Sequence, residues 1–139
     1  MSLEFTIGDR TFRARKLPGL TQVRLLKRAA PIAGPLMAAS QSGDAEIAGT
    51  AVSALSELDD EAVEYILAQT LSTVEMKIDS GWARISSSGE HLLLQYDEIS
   101  EDAYLMLSIA ARVLRYNFEP LFRAALSNLS GGATPTFQA

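Results

Sequence analysis

The chain has no cysteine, one histidine and one tryptophan among its 139 residues. Without thiols there is no disulfide and no thiolate nucleophile, and a zinc site loses its commonest structural ligand. A cysteine-free composition also fits a cytosolic protein. The single histidine, His91, lies beside the loop Ser86-Ser87-Ser88-Gly89. A catalytic triad needs a histidine between a nucleophile and an orienting acid, and no serine here stands in a Gly-x-Ser-x-Gly elbow. His91 therefore reads as an ordinary surface residue. No uninterrupted apolar run approaches the roughly 18 residues of a transmembrane helix. Met1-Ser2-Leu3-Glu4 leads into an alternating strand and not into an apolar leader, so no secretory segment is expected.

What the chain does have is apolar surface. Hydrophobic residues make up 47% of it, enough for a sizeable core in one domain. Residues 1–129 are expected to form that domain. The Gly/Ser/Thr/Pro-rich end, residues 130–139, is expected to be a flexible tail. The net charge of −5 is unevenly spread: residues 1–28 carry seven Lys/Arg against two acids, and residues 40–111 carry fourteen acids against two basic residues. The acidic middle argues against a duplex nucleic-acid binder, whose target would be repelled. The basic beginning can meet that middle within one molecule or in a neighbouring copy. The second arrangement would favour self-association.

Residues 3–15 read as a β-hairpin. Leu3, Phe5 and Ile7 alternate with Glu4 and Thr6, and Phe12 and Ala14 alternate with Thr11, Arg13 and Arg15. A two-residue Gly8-Asp9 loop pairs Phe5 with Phe12 and Leu3 with Ala14, gathering the large apolar residues on one face. Gly8 in the first central position suits a type II′ turn. After Leu17-Pro18-Gly19, Thr21 is expected to cap a helix, with Leu20 and Leu25 as a hydrophobic staple and Val23, Leu26 and Ala30 at helical spacing. Pro31 and Pro35 are expected to interrupt or kink it. The uncharged stretch 29–39 should be buried or bound.

Asp44 can open a second helix, with Ile47, Ala51, Val52 and Leu55 inward. Asp59, Asp60 and Glu61 open a third, with Val63, Ile66, Leu67 and Leu71 inward; acids in a first turn suit the helix dipole. A second short hairpin is expected over residues 74–85, turning at Asp79-Ser80-Gly81. Residues 92–96 can be strand or helix. Ser100 is expected to cap the longest helix, ending near Tyr116, and Pro120 to begin a further helix ending near Leu129. Only Ser108 is polar from Tyr104 to Ala111; a helix apolar on all sides is central to a fold or part of an interface. The expected fold is α+β, mainly α, with four to five helices, an N-terminal hairpin and a second small β element.

Two acidic clusters, Asp59-Asp60-Glu61-Glu64 and Asp97-Glu98-Glu101-Asp102, lack the ligand spacing of a calcium loop and sit where helices begin. Neither a metal nor a cofactor is expected. Arg13, Arg15 and Lys16, continued by Arg24, Lys27 and Arg28, form a solvated face, a steering patch for an acidic protein or, against the overall charge balance, a nucleic-acid contact. Tyr116, Phe118 and Phe122 are either core or a partner-binding patch.

The same residues carry a family resemblance. Phe5-Thr6-Ile7-Gly8 with Phe12, then Lys16-Leu17-Pro18, then Leu25-Leu26 running to Ala30-Pro31, then Trp82, and finally Asn117-Phe118 with Phe122 follow an order that resembles the tail assembly chaperones of tailed bacteriophages. The likeness spans roughly residues 3–126 and departs in the Ser/Gly/Thr-rich end. It implies the short form of a family often made in short and frameshift-extended versions. It also implies a non-enzymatic protein of the host cytoplasm, or of the bacterial cytoplasm for a prophage, that is absent from the mature virion. Such a protein binds the tape measure protein, the tail tube protein or both; the apolar excess and charge polarity add an expectation of homo-oligomers through the terminal helices, and the charge balance and lack of a long apolar run one of no nucleic-acid or membrane partner. A client helix laid in a groove would be met by Leu107, Val113, Tyr116, Phe118 and Phe122, with Arg13 and Arg15 steering. Two rival readings are a structural virion component, such as a head–tail connector or minor tail protein, and a small enzyme with an unrecognised site, against which stands the lack of any visible nucleophile–base pair or metal set.

Overall fold

The computed structural model describes residues 2–39, 49, 52–53, 55–87 and 92–130. Two hairpins join into one antiparallel sheet of order β1-β2-β3-β4, formed by β1 (Ser2–Ile7), β2 (Arg10–Arg15), β3 (Val74–Ile78) and β4 (Gly81–Arg84). The first hairpin has the expected register, with Leu3 opposite Ala14, Phe5 opposite Phe12 and Ile7 opposite Arg10. Gly8 takes φ 63° and, among the described residues, no non-glycine residue has positive φ; positive φ at the first central position alone is the type II′ signature. Phe5 and Phe12 stack across the strands with ring centroids 5.6 Å apart. β2 then pairs with β3, Phe12 opposite Met76 and Ala14 opposite Val74, which continues the apolar face across the sheet. Beyond β4, Ser86 bridges Leu94 and Gln95 N–H donates to the Ile85 carbonyl, so the segment after residue 91 lies strand-like along that end.

The helices are α1 (Gly19–Ala39), α2 (Asp60–Leu71), the short α3 (Asp97–Ser100) and α4 (Ala103–Ser130), with a 3-10 turn at Leu55–Glu57. α2 begins as its sequence predicts: Asp59 is the N-cap, its Oδ1 accepting from Ala62 N–H at 2.8 Å, and Ile66 and Leu71 are buried.

Several expectations are corrected. α1 starts at Gly19, with Gln22 N–H bonding the Pro18 carbonyl, so Thr21 is not the cap. Leu20 and Val23 are each 63% exposed, which removes the staple, and Ala30 is exposed too; the inward residues are Leu25 and Ala29, with the expected Leu26 half-buried against the same cluster. α1 runs through Pro31 and Pro35 without interruption. Val52 is exposed, and most of the helix expected around it lies outside the described residues, as do His91 and residues 131–139. Ser100 ends α3, and Asp102 caps α4 through Leu105 N–H at 3.0 Å.

The largest correction concerns Pro120, which lies inside α4 and does not start a new helix. A proline in mid-helix leaves the carbonyl four residues earlier without its N–H donor. Here that carbonyl belongs to Tyr116, and Lys16 Nζ donates to it at 2.6 Å. A side chain from the end of the first hairpin thus replaces the bond that Pro120 removes.

α4 separates two apolar clusters. Ala111, Leu114 and Phe118 pack with Leu17, Leu25, Ala29 and Ile66 of the helical side. Ile109 and Val113 pack against Phe5, Phe12, Val74 and Met76 of the sheet. A helix covered by a sheet on one side and helices on the other must be apolar nearly all round, which accounts for the composition of residues 104–111.

Candidate partner-binding surfaces

The segment Lys16-Leu17-Pro18 docks onto Tyr116-Asn117-Phe118. Lys16 Nζ reaches the Tyr116 carbonyl and lies 4.4 Å from the centre of its ring. Leu17 N–H donates to Asn117 Oδ1 at 3.0 Å, Asn117 Nδ2 donates to the Val113 carbonyl at 2.8 Å, and Gln22 Nε2 donates to the Leu17 carbonyl at 2.8 Å. Leu17, Asn117 and Phe118 are all buried. Two of the motifs that carried the family resemblance are therefore the halves of one internal latch, which fastens the sheet's exit strand to α4.

The residues expected to meet a partner are dispersed. Val113 is 0% and Phe118 2% exposed; both are core, because α4 lies between sheet and helices, and neither offers a surface in the folded chain. Leu107 and Tyr116 are half-buried. Phe122 lies on α4, but its side chain is outside the described set. Arg13 donates to Glu75 Oε1 at 2.6 Å and covers the Trp82 ring at 4.4 Å, while Arg15 is exposed. The basic hairpin thus meets the acidic middle within one molecule at two points: Arg13 on Glu75, and Arg10 on both Glu98 carboxylate oxygens at 2.8 and 2.7 Å. The Glu98 hydrogen bonds, and then its charge, raise the Arg10 pKa above that of a free guanidinium.

Among the described residues the exposed large apolar side chains are others: Leu20 and Val23, one turn apart on α1, Tyr104 and Leu121 on α4, and Val52 and Leu93 outside these helices. A period that set Leu25 and Ala29 inward would have identified the first two. Three surface depressions are lined by cations. One of about 500 Å³ is bordered by Arg24, Lys27, Arg28 and Tyr65, with the Arg28 guanidinium 4.5 Å from the Tyr65 ring centre. A second, about 180 Å³, lies between β1 and α4 and is lined by Leu3, Arg112, Arg115, Tyr116 and Glu119. A third, about 440 Å³, is lined by Ser2, Arg13, Arg15, Lys16 and Glu75. Among the described residues, no group of three or more His, Asp or Glu is placed to hold a metal, and no helix is long and apolar enough to cross a membrane.

These features define a small α+β protein whose surface grooves are lined by arginine, lysine and tyrosine. The sequence model of the phage tail assembly chaperone protein family matches residues 8–131, and the chain belongs to that family. No curated protein and no solved structure matches it.

Proposed function

We propose that this chain is a non-enzymatic chaperone that binds the tape measure protein, the tail tube subunit or both in the host cytoplasm, keeps them from aggregating before the tail is built, and is left out of the finished virion. The observation that carries this reading is the family match over residues 8–131. The surface supports it: apolar side chains stand free on α1 and α4 beside basic grooves, and exposed apolar residues rimmed by charge serve protein recognition. With Val113 and Phe118 inside the core, the contact surface moves to Leu20, Val23, Tyr104 and Leu121. Copies of the chain would self-associate through the same residues.

The test is co-expression of the full chain with the tape measure and tube proteins of the same phage. A complex with at least one of them is expected on co-purification, as is absence of the chain from purified particles by mass spectrometry. The chain found as a stoichiometric particle component would instead make it a structural virion protein.

A further inference from the structure

β1 is an edge strand whose outer side is unpaired among the described residues. The Arg15 N–H bonds the Thr73 carbonyl, away from β1, and this sets the alternation along the hairpin. Leu3, Phe5 and Ile7 spend their backbone groups on Ala14, Phe12 and Arg10, while those of Ser2, Glu4 and Thr6 point outward. All three are exposed, and among the described residues no backbone group bonds that edge. Edge strands are normally blunted by proline, lysine, a bulge or short length. β1 is six residues long, has neither proline nor lysine, carries one charge, Glu4, and keeps an unbroken register. At the other end of the sheet, residues 93–95 bond the extension of β4 at Ile85 and Ser87, whereas among the described residues nothing bonds the outer side of β1 along its length.

The open edge has a wall. Arg112, Arg115, Tyr116 and Glu119 repeat at helical spacing and put one face of α4 beside Leu3, and the Arg112 guanidinium lies 5.2 Å from the Phe5 ring centre. A strand edge flanked by a helix is the geometry in which an extended peptide adds to a sheet, its backbone giving affinity and its alternate side chains giving specificity. The two depressions that border β1 contain five cations (Arg13, Arg15, Lys16, Arg112, Arg115) and two acids (Glu75, Glu119), and with Glu4 on the strand three. The cations lie on both faces of the sheet beside β1, Arg112 and Arg115 on the α4 side, where Arg115 pairs with Glu119 at 3.6 Å, and Arg13 and Arg15 on the other, in a protein of net charge −5.

We infer that the β1 edge and the Arg112/Arg115 face of α4 form a docking groove for an extended, acidic segment of another polypeptide, which adds as a fifth strand. The inference rests on the chaperone reading only for the identity of that polypeptide, a tail protein. The groove itself is defined by the edge and the charges.

Fluorescence anisotropy tests it with a labelled peptide alternating Glu with Val and Thr, and a counterpart with Lys for Glu. Wild type is expected to bind the acidic peptide at least tenfold more tightly than the basic one. Glu4→Pro removes an outward N–H without touching a β1–β2 bond, a position where proline is tolerated. It should abolish binding while leaving the circular dichroism spectrum and Trp82 emission unchanged. Arg115→Glu, at the groove wall, should reverse the charge preference and covers the case in which Glu4→Pro fails to fold. No binding of the acidic peptide to wild type, equal binding of both peptides, or undiminished binding by folded Glu4→Pro would each overturn the inference. So would a wild-type dimer in light scattering that Glu4→Pro converts to monomer, since a second copy would then own the edge. A client that co-purifies equally with wild type and folded Glu4→Pro removes the groove but keeps the chaperone. Peptide binding without any co-purifying tail protein does the reverse.

Discussion

Asn117→Ala isolates the latch between the exit of the first hairpin and α4. The Asn117 side chain is 1% exposed and makes two hydrogen bonds, accepting from Leu17 N–H at 3.0 Å and donating to the Val113 carbonyl at 2.8 Å. Truncation leaves a buried N–H at Leu17 with no acceptor and no access to water, a loss of about 1–3 kcal/mol. The Val113 carbonyl keeps its helical partner, the Asn117 backbone N–H, so the second bond is worth less, about 0.5–1.5 kcal/mol. Alanine returns up to about 0.7 kcal/mol in helix propensity. The net expectation is a destabilisation of about 2 kcal/mol. With an unfolding entropy of about 2.1 cal/mol/K per residue over 139 residues, the melting temperature should fall by about 7 °C. Urea unfolding followed by far-ultraviolet circular dichroism and Trp82 fluorescence measures this, with the m-value unchanged. A loss below about 0.5 kcal/mol would show that the Leu17 N–H finds another acceptor and that the latch is not what fastens these elements.

Lys16→Met should destabilise the wild type by about 1 kcal/mol by freeing the Tyr116 carbonyl, and by much less in a Pro120→Ala background, where residue 120 supplies the N–H itself; a double-mutant cycle with no coupling would contradict this exchange. Asp59→Ala should cost about 1 kcal/mol through loss of the α2 cap, read as a shift in urea midpoint. Ser108 is buried and its hydroxyl lacks a hydrogen-bond partner among the described residues, so Ser108→Ala should stabilise by about 1 kcal/mol in the same assay. Phe118→Ala should cost about 3–5 kcal/mol as a core deletion, and for that reason its effect on client capture would report folding and not contact.

The hairpin was legible to the residue because only a two-residue loop places Phe5 opposite Phe12 and Leu3 opposite Ala14. α2 was legible because Asp59 to Glu61 mark its start and Ile66 and Leu71 its buried face. What stayed hidden depends on distant partners. The pairing of Phe12 with Met76 joins segments that no local pattern relates. The continuity of α4 across Pro120 rests on a lysine about a hundred residues away. On α1, Leu26 packs against the core as its spacing implies, whereas Leu20 and Val23 look like core and are exposed. Two of the expected partner contacts, Val113 and Phe118, are core for a related reason. An apolar α4 fits a binding surface and a helix sandwiched between two layers equally well, and only the packing shows that Val113 and Phe118 belong to the second. The open edge of β1 was invisible too, because edge position is a property of the sheet and not of the strand.

The most direct test of the chaperone account is the solubility of the tape measure protein expressed with and without this chain. The account predicts that the tape measure protein, or the tube subunit with it, moves from the pellet to the supernatant and elutes with the chain as one species. A client that stays equally insoluble in its presence, or is soluble without it and never co-elutes, would contradict the account.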